Sequence, residues 1–432
     1  MMSNKISIVK YRFYGKMGRQ MSISDIVLYI FAFLALYVQV FFLLTFIERR
    51  KELGETPLPR SNKKLPGVTI IVPCWNESMT VIKTTQSLLN LDYPKDKLNI
   101  ILVDDGSTDD TWEVMQRYAN HPQIKIYHKE NGGKHTAVNF GIEMTTTELV
   151  GCLDADSFVH RLALKRIVSF FLKDKETMAV APSIIVHEPK TIVQKAQKAE
   201  YDMAVFVKKM LGFLGAIHVT PGPFSIFRKK VFDEIGMFRK AHNTEDQEIA
   251  LRMQEHGMKI EQCPDAYVYT ISPDSVKKLY KQRLRWIYGF INNMIDYKRL
   301  ILSPKYGNVS MFTLPSGLIS IIALVFVVSF MVGRVGIRIV EEINRFRVTG
   351  FQINNLPNFD LFFLNTESVL FISILLYAVI LAWTLVGRKM AQGNARITID
   401  LLYFVLIYNI VAPFWILKAI WNTITSKKPS WR

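Results

Sequence analysis

The stretch Leu98-Asn99-Ile100-Ile101-Leu102-Val103-Asp104-Asp105-Gly106-Ser107-Thr108-Asp109 decides how this chain folds. Its apolar half, Leu98–Val103, is a buried strand. Asp104 and Asp105 close that strand, Gly106 turns the backbone, and Asp109 caps a helix carrying Trp112 and Val114. A strand that ends in carboxylates and hands the chain to a helix is half of a βαβ unit. In an open α/β sheet, ligands bind outside such strand ends. Asp109 alone would satisfy a helix cap, so two further acids at the strand end favour ligand contact. They can accept hydrogen bonds from a uracil N–H or from ribose hydroxyls.

Outward from that point the pattern repeats. Val68–Val72 is a strand stopped by Pro73, followed by a helix over Met79–Leu89. Ile124–Tyr127, Leu149–Leu153 and Met178–Val186 complete five strands, with helices over Lys134–Glu143 and Ile192–Leu211. Strands alternating with helical patterns predict a Rossmann-like α/β domain with a mainly parallel sheet. No period of about 20 to 50 residues repeats, which excludes a solenoid.

Hydrophobic residues make up 50% of the 432 residues, and the mean hydropathy is +0.15. The excess is concentrated in Ile23–Ile47, Met311–Val332, Val369–Val386 and Ile399–Leu417. Each is apolar enough to cross a bilayer core, which needs roughly 20 residues. Long core helices of a soluble protein would show a polar face instead. The predicted organisation is an N-terminal segment and span over 1–50, a soluble domain over 51–300, and a membrane domain over 301–432 with about three spans. Gly54 to Lys64 is the basic, Pro- and Gly-bearing linker that leaves the first span.

The net charge of +17 comes from 54 Lys and Arg against 37 Asp and Glu. Much of the excess flanks the spans, as in Glu48-Arg49-Arg50-Lys51, Gly387-Arg388-Lys389 and Ser426-Lys427-Lys428. That placement suits anionic headgroups and speaks against a nucleic-acid partner. A basic site also suits a phosphate-bearing substrate. Cys74, Cys152 and Cys263 have no metal-binding or disulfide spacing, and read as reduced core thiols of a cytoplasmic domain. The first span is too long for a signal peptide and lacks a cleavage site, which predicts an uncleaved anchor.

Further chemistry sits at other junctions. Asp154-Ala155-Asp156 follows a strand and has the spacing with which two carboxylates share a hard cation with a diphosphate, Mg²⁺ or Mn²⁺. Asn131-Gly132-Gly133-Lys134 lacks the Walker pattern; its lysine touches a sugar or phosphate, or else the segment is a plain turn. Thr244-Glu245-Asp246 opens an amphipathic helix, where acids are stabilised by the helix dipole; Asp246 could equally be a base for an acceptor hydroxyl. Gln282, Arg285 and Trp286 stand at i, i+3 and i+4, so they share one helix face. That face offers an amide, a fixed cation and an aromatic plate. Tyr280, Tyr288 and Phe290 read as aromatic anchors at the membrane interface.

In this order, Val72-Pro73-Cys74-Trp75-Asn76-Glu77, Asp104-Asp105, the D-x-D, the T-E-D and the Q-x-x-R-W resemble the processive, membrane-embedded family-two β-glycosyltransferases. These include cellulose, chitin, hyaluronan and poly-N-acetylglucosamine synthases. The resemblance covers Val68 to Phe290 and the flanking spans. It implies a GT-A fold, inversion at the anomeric carbon and a nucleotide-sugar donor bound with Mg²⁺ or Mn²⁺. It also implies roles: Asp105 toward the nucleotide, and Asp154 and Asp156 toward diphosphate and metal, with Asp104, Glu77 and Lys134 as further candidate substrate-binding residues. Asp246 becomes the catalytic base with Glu245 beside it, and Gln282, Arg285 and Trp286 hold acceptor and pyrophosphate. Thr220-Pro221-Gly222-Pro223-Phe224-Ser225 is similar to the family's acceptor-end segment.

The expected function is extension of a β-linked polysaccharide from a UDP-sugar, N-acetylglucosamine by resemblance to the smaller synthases. A non-processive glycolipid transferase shares the same motifs and differs in product length. A transporter or channel without catalysis would not need clustered acids outside the bilayer. The implied setting is the plasma membrane with a cytoplasmic catalytic domain, lipids and a growing glycan or lipid acceptor as partners, and room for an accessory subunit or oligomer. Span counting strains this arrangement, because it places both basic termini outside, against the positive-inside tendency. Initiation at Met21 or an interfacial N-terminal helix would relieve it. Phe346-Arg347-Val348-Thr349 echoes the family's gating loop, but Gly350 and Phe351 follow where a basic residue is expected, so it reads as coincidence.

Overall fold

The computed structural model describes residues 23–349 and 366–429. Gly350 and Phe351, on which the gating-loop comparison turns, lie outside the described residues. Chain order runs α1 (Ile23–Arg49), β1 (Val68–Cys74), α2 (Val81–Leu89), β2 (Leu98–Asp105), α3 (Thr111–Met115), β3 (Ile124–Lys129), α4 (Lys134–Glu143) and β4 (Leu149–Cys152). It continues with β5 (Ser157–Val159), α5 (Ala163–Lys173), β6 (Thr177–Val186), α6 (Ile192–Phe213), β7 (Ile226–Arg228), α7 (Lys230–Ile235), α8 (Glu245–Glu255) and β8 (Lys259–Thr270). Four helices follow: α9 (Val276–Asp296), α10 (Leu314–Thr349), α11 (Thr366–Gln392) and α12 (Asp400–Ile424).

Among the described residues, eight strands form one sheet in the order β3-β2-β1-β4-β7-β6-β8-β5. The first half, β3-β2-β1-β4, is all parallel, as the alternation of strands and helices predicts. The second half is mixed. β7 runs antiparallel to both β4 and β6, and β5 antiparallel to β8, while β6 and β8 are parallel. Parallel pairs thus outnumber antiparallel ones, four to three, in a mixed sheet, and β5, β7 and β8 are absent from the five strands read in the sequence. β5 and β7 span three residues each, too few for a period to register. β8 hides because polar residues are buried in it: Gln262 donates to Ser183 Oγ at 3.0 Å, and Asp265 accepts from Thr56 N at 2.9 Å and Thr56 Oγ1 at 2.6 Å. The Thr56 bonds also pin the linker to the sheet.

Nearly every side chain of β1 and β2 is buried, which is how strands covered on both faces read. Ile70, Leu88, Ile100 and Leu102 are fully enclosed, each contributing about 1.5–3 kcal/mol through burial. Cys74, Cys152 and Cys263 are free and buried in this interior.

The described residues fall into two compact units, one of 23–40, 319–349 and 366–378, the other of 41–318 and 379–429. In the first, Phe31 meets Phe326 with ring centroids 5.6 Å apart. In the second, the sheet domain takes in α12, whose Trp415 packs with Leu279 of α9 and Val193 of α6. The buried Arg388 donates to Asp202 at 2.8 Å and to Asp400 at 2.6 Å, joining α11, α6 and α12 through paired charges. Among the described residues, four helical stretches are long and apolar enough to cross a membrane: Ile23–Glu52, Val309–Val348, Phe371–Gln392 and Asp400–Ile424.

Candidate active site

A cavity of about 1250 Å³ opens at the carboxyl ends of β1, β2 and β4. Glu77, Asp105, Lys134, Asp154, Asp156, Glu245, Asp246, Gln282, Arg285 and Trp286 all line it. Of the residues expected to bind donor, metal or acceptor or to act as base, Asp104 alone is not in its wall. Asp104 is fully buried and accepts from Ser107 Oγ at 2.5 Å, with His128 Nδ1 2.6 Å from its other oxygen. The strand register explains this: Asp104 stands opposite His128, and Asp105 opposite Lys129. Asp105 reaches the cavity while accepting from Lys129 Nζ at 2.6 Å, Gly132 N at 3.1 Å and Gly133 N at 2.9 Å. It thereby holds the 131–133 loop in place. Gly106, at φ +69°, is required there, since a Cβ would come within 2.7 Å of Asn131 N.

The loop delivers Lys134 to the start of α4. Its ammonium ion-pairs with Asp154 and lies 3.7 Å from Glu245, so it bridges the D-x-D to the T-E-D. Burial opposes the charge on Lys134, but Asp154 and Glu245 outweigh it and hold the amine well above its ordinary range. Gly222 packs on the same ammonium, since a Cβ there would stand 2.7 Å from Lys134 Nζ. The D-x-D turn itself is held from α2, where Thr84 Oγ1 donates to the carbonyls of Ala155 at 2.7 Å and Ser157 at 2.8 Å.

Asp156 is pushed up to about 6, first by burial and then by the charges of Asp154 and Glu77. Carboxylates crowded enough to resist ionising are what a divalent cation relieves. Among the described residues there is no group of three or more His, Cys, Asp or Glu that could hold a metal by itself. The paired carboxylates of Asp154 and Asp156 are a donor set that fits a hard divalent cation.

α8 presents the T-E-D. Thr244 does not cap it with its side chain, which removes the plain capping role for that residue; its hydroxyl instead accepts from Asn293 Nδ2 of α9 at 3.0 Å. Thr220 donates through N and Oγ1 to the Asp246 carbonyl at 3.1 and 3.0 Å, which fixes the backbone beneath the carboxylate. Burial, and then Glu245, raise Asp246 to about 6, with Lys134 and Arg285 acting the other way. That value suits a group that must take up a proton near neutral pH.

Gly289 sets the distance between α8 and α9, because a Cβ there would overlap Thr244 Oγ1. Gly289→Ala should therefore push the Q-x-x-R-W helix off the T-E-D. Transfer should fall on the order of 10²-fold, as displacements of about 1 Å do, with nucleotide affinity little changed. A normal rate in this variant would show that the glycine contact does not position the site.

On α9, Gln282, Arg285 and Trp286 face the cavity, as their spacing predicts. Arg283, which that spacing passes over, points the other way and is buried. It donates to Glu200 at 2.5 Å and Tyr408 Oη at 3.2 Å, fastening the motif to α6 and to α12. Its guanidinium also lies 4.1 Å from the centre of the Trp286 ring, which steadies the plate from one side. The neighbouring aromatics correct the expectation of interface anchors. Tyr288 is buried, Tyr280 packs in the cluster around Trp415, and Phe290 lines the cavity. Lys208 and His218 also line it, and no sequence pattern pointed to either.

The mixed sheet with acids at its strand ends is of GT-A architecture, in a chain that also carries, among its described residues, four helical stretches apolar enough to cross a membrane. Residues 69–236 match the Glycosyl transferase family 2 model. The chain is similar to the poly-beta-1,6-N-acetyl-D-glucosamine synthase of Staphylococcus epidermidis, 29% identical over 272 residues, which is 62% of this chain and 66% of that one. It is 31% identical over 228 residues to the enzyme of that name from Staphylococcus aureus strain COL, covering 52% of this chain and 55% of that one. The chain thus spans between 55% and 66% of the length of these relatives. The structure resembles a mannosyltransferase from Pyrobaculum calidifontis in complex with GDP-Man and Mn²⁺, with a TM-score of 0.62 over 94% of this chain and 100% of that one. At 16% identity the likeness is one of fold.

Proposed function

We propose that the protein is an inverting glycosyltransferase that extends a β-linked polysaccharide at a membrane, drawing N-acetylglucosamine from a UDP donor. The observation that carries this reading is the convergence of Asp246, the D-x-D acids and the Gln282–Arg285–Trp286 face on one cavity. The carboxylate of Asp246 accepts the proton of the acceptor hydroxyl as that oxygen bonds to the anomeric carbon and the bond to the diphosphate breaks. Lys134 and Arg285 bring positive charge toward the leaving diphosphate, while Asp154 and Asp156 would hold Mg²⁺ or Mn²⁺. The cation supplies charge stabilisation on the phosphate oxygens. No second nucleophilic carboxylate is needed, because inversion takes a single displacement. Three buried free thiols accord with a cytoplasmic catalytic domain, and the apolar helices with a multi-pass protein of the plasma membrane in contact with its lipids. The names of the relatives support the N-acetylglucosamine donor. An accessory subunit would act on this same reaction.

Incubation of the full chain in lipid with a panel of nucleotide sugars, followed by sizing of products, tests the reading. A polymer from UDP-N-acetylglucosamine is expected, and one added sugar on a lipid would overturn processive extension. Trp286→Ala should shorten the product before it abolishes donor hydrolysis. An indole stacks on a pyranose face and lets the next sugar take the same place after one step. If Trp286 only anchors the helix, Trp286→Leu will leave product length unchanged.

A further inference from the structure

Away from the carboxylates the wall of the cavity changes character. Residues of α6, of the segment after it and of α9 bring Lys208, His218, Gln282, Leu211, Ile217 and Phe290 to its surface. No hydrogen bond or ion pair joins Lys208 to another described residue; burial lowers its amine to about 8, and the charge of Asp246 acts the other way. The ring of His218 lies 6.5 Å from that of Phe290, and its Nδ1 is buried without a protein partner. Burial, with Lys208 adding, lowers this imidazole to about 4, so it is neutral. Gln282 Oε1 is likewise buried and bonded to no protein group.

Buried polar atoms are paired in native proteins as a rule, and His218 Nδ1 and Gln282 Oε1, which lack a protein partner, line this cavity. With the half-buried amine of Lys208 they offer a donor, an acceptor in Gln282 and an imidazole nitrogen that serves as either. Beside them Leu211, Ile217 and Phe290 add apolar surface. An anion would suit Lys208 but would stand against Asp246 and Glu245. A lone hydroxyl would use the polar atoms and leave the apolar wall empty. A secondary amide with a short alkyl end fits all of it: the carbonyl accepts, the N–H donates and the methyl group meets Leu211, Ile217 and Phe290.

We propose that Lys208 and His218, with Gln282, read the acetamido group of the acceptor sugar, so that the chain end is selected by its N-acyl substituent. This rests on the reading of the protein as a synthase of an amino-sugar polymer. It assigns Lys208 and His218 to specificity rather than to the chemical step.

Binding to the full chain in lipid tests it without requiring turnover. Calorimetry compares a short β-1,6-linked N-acetylglucosamine oligomer with the β-1,6-linked glucose oligomer, which carries a hydroxyl in place of each acetamido group. The protein should bind the N-acetylated oligomer at least about tenfold more tightly, since a site built to hydrogen-bond a group rejects the analogue lacking it. Lys208→Met and His218→Phe should each bring that ratio to within about threefold, with UDP affinity unchanged as the sign of an intact donor site. Lys208→Arg, which keeps the donor, should retain most of the preference. If the wild type binds both oligomers equally, or if the variants keep the full ratio, the assignment is wrong. Absence of transfer from every nucleotide sugar strikes the proposed function instead, because the affinity ratio is measured independently of it.

Discussion

Asp246→Asn should lower transfer by about 10²- to 10⁴-fold, the range over which a positioned general base contributes, while UDP affinity stays close to that of the wild type. The substitution keeps the size of the side chain, and the amide oxygen can still accept from Gln247 N, which stands 3.0 Å from Asp246 Oδ1. If this carboxylate did no more than help begin α8, the rate would stay near normal and stability would fall by about 1 kcal/mol or less. Rate and affinity measured on one variant separate the two roles.

The same residue sets a pH profile. Burial and Glu245 raise Asp246 to about 6, and the base works only when ionised. Activity should therefore fall about tenfold per unit below that pH and level off above it. The limb must be read at saturating Mn²⁺, because Asp156 is also pushed up to about 6 and protons compete there with the cation. Under those conditions Asp246→Asn should lack the limb. A wild-type profile flat from pH 5 to pH 8 would remove Asp246 from the role of base.

The second large effect concerns the cation. Chelation should abolish transfer, and Mn²⁺ or Mg²⁺ added back should restore it. Asp156→Ala should lose on the order of 10³-fold, as removal of several kcal/mol of charge stabilisation implies. Its effect on the fold should be small, since among the described residues the Asp156 side chain is held by a bond from Ser157 Oγ at 3.1 Å. Thermal unfolding measured beside activity controls for that. Full turnover in excess chelator would show that Lys134 and Arg285 handle the diphosphate without a metal.

Much of this molecule is legible in its sequence because the relevant signals are local. Val68–Val72 and Leu98–Val103 are apolar runs broken only by Thr69 and Asn99, because both faces of their sheet are covered, and that burial is visible in the residues themselves. The D-x-D and T-E-D announce themselves at a strand end and a helix start. The i, i+3, i+4 spacing of Gln282, Arg285 and Trp286 puts them on one face whatever lies opposite, and the four apolar stretches need only length and composition. What depends on a partner distant in sequence could be decided only by the tertiary structure. Asp104 turns inward because the parallel register sets His128 across from it, and Lys134 bridges two motifs that lie 20 and 111 residues further on. Gly289 matters because α9 touches Thr244, and Lys208 and His218 enter the site only once α6 and the segment after it wall the cavity. Periodicity reports which way a side chain faces, whereas what it then meets is set by packing between segments that carry no mark of one another.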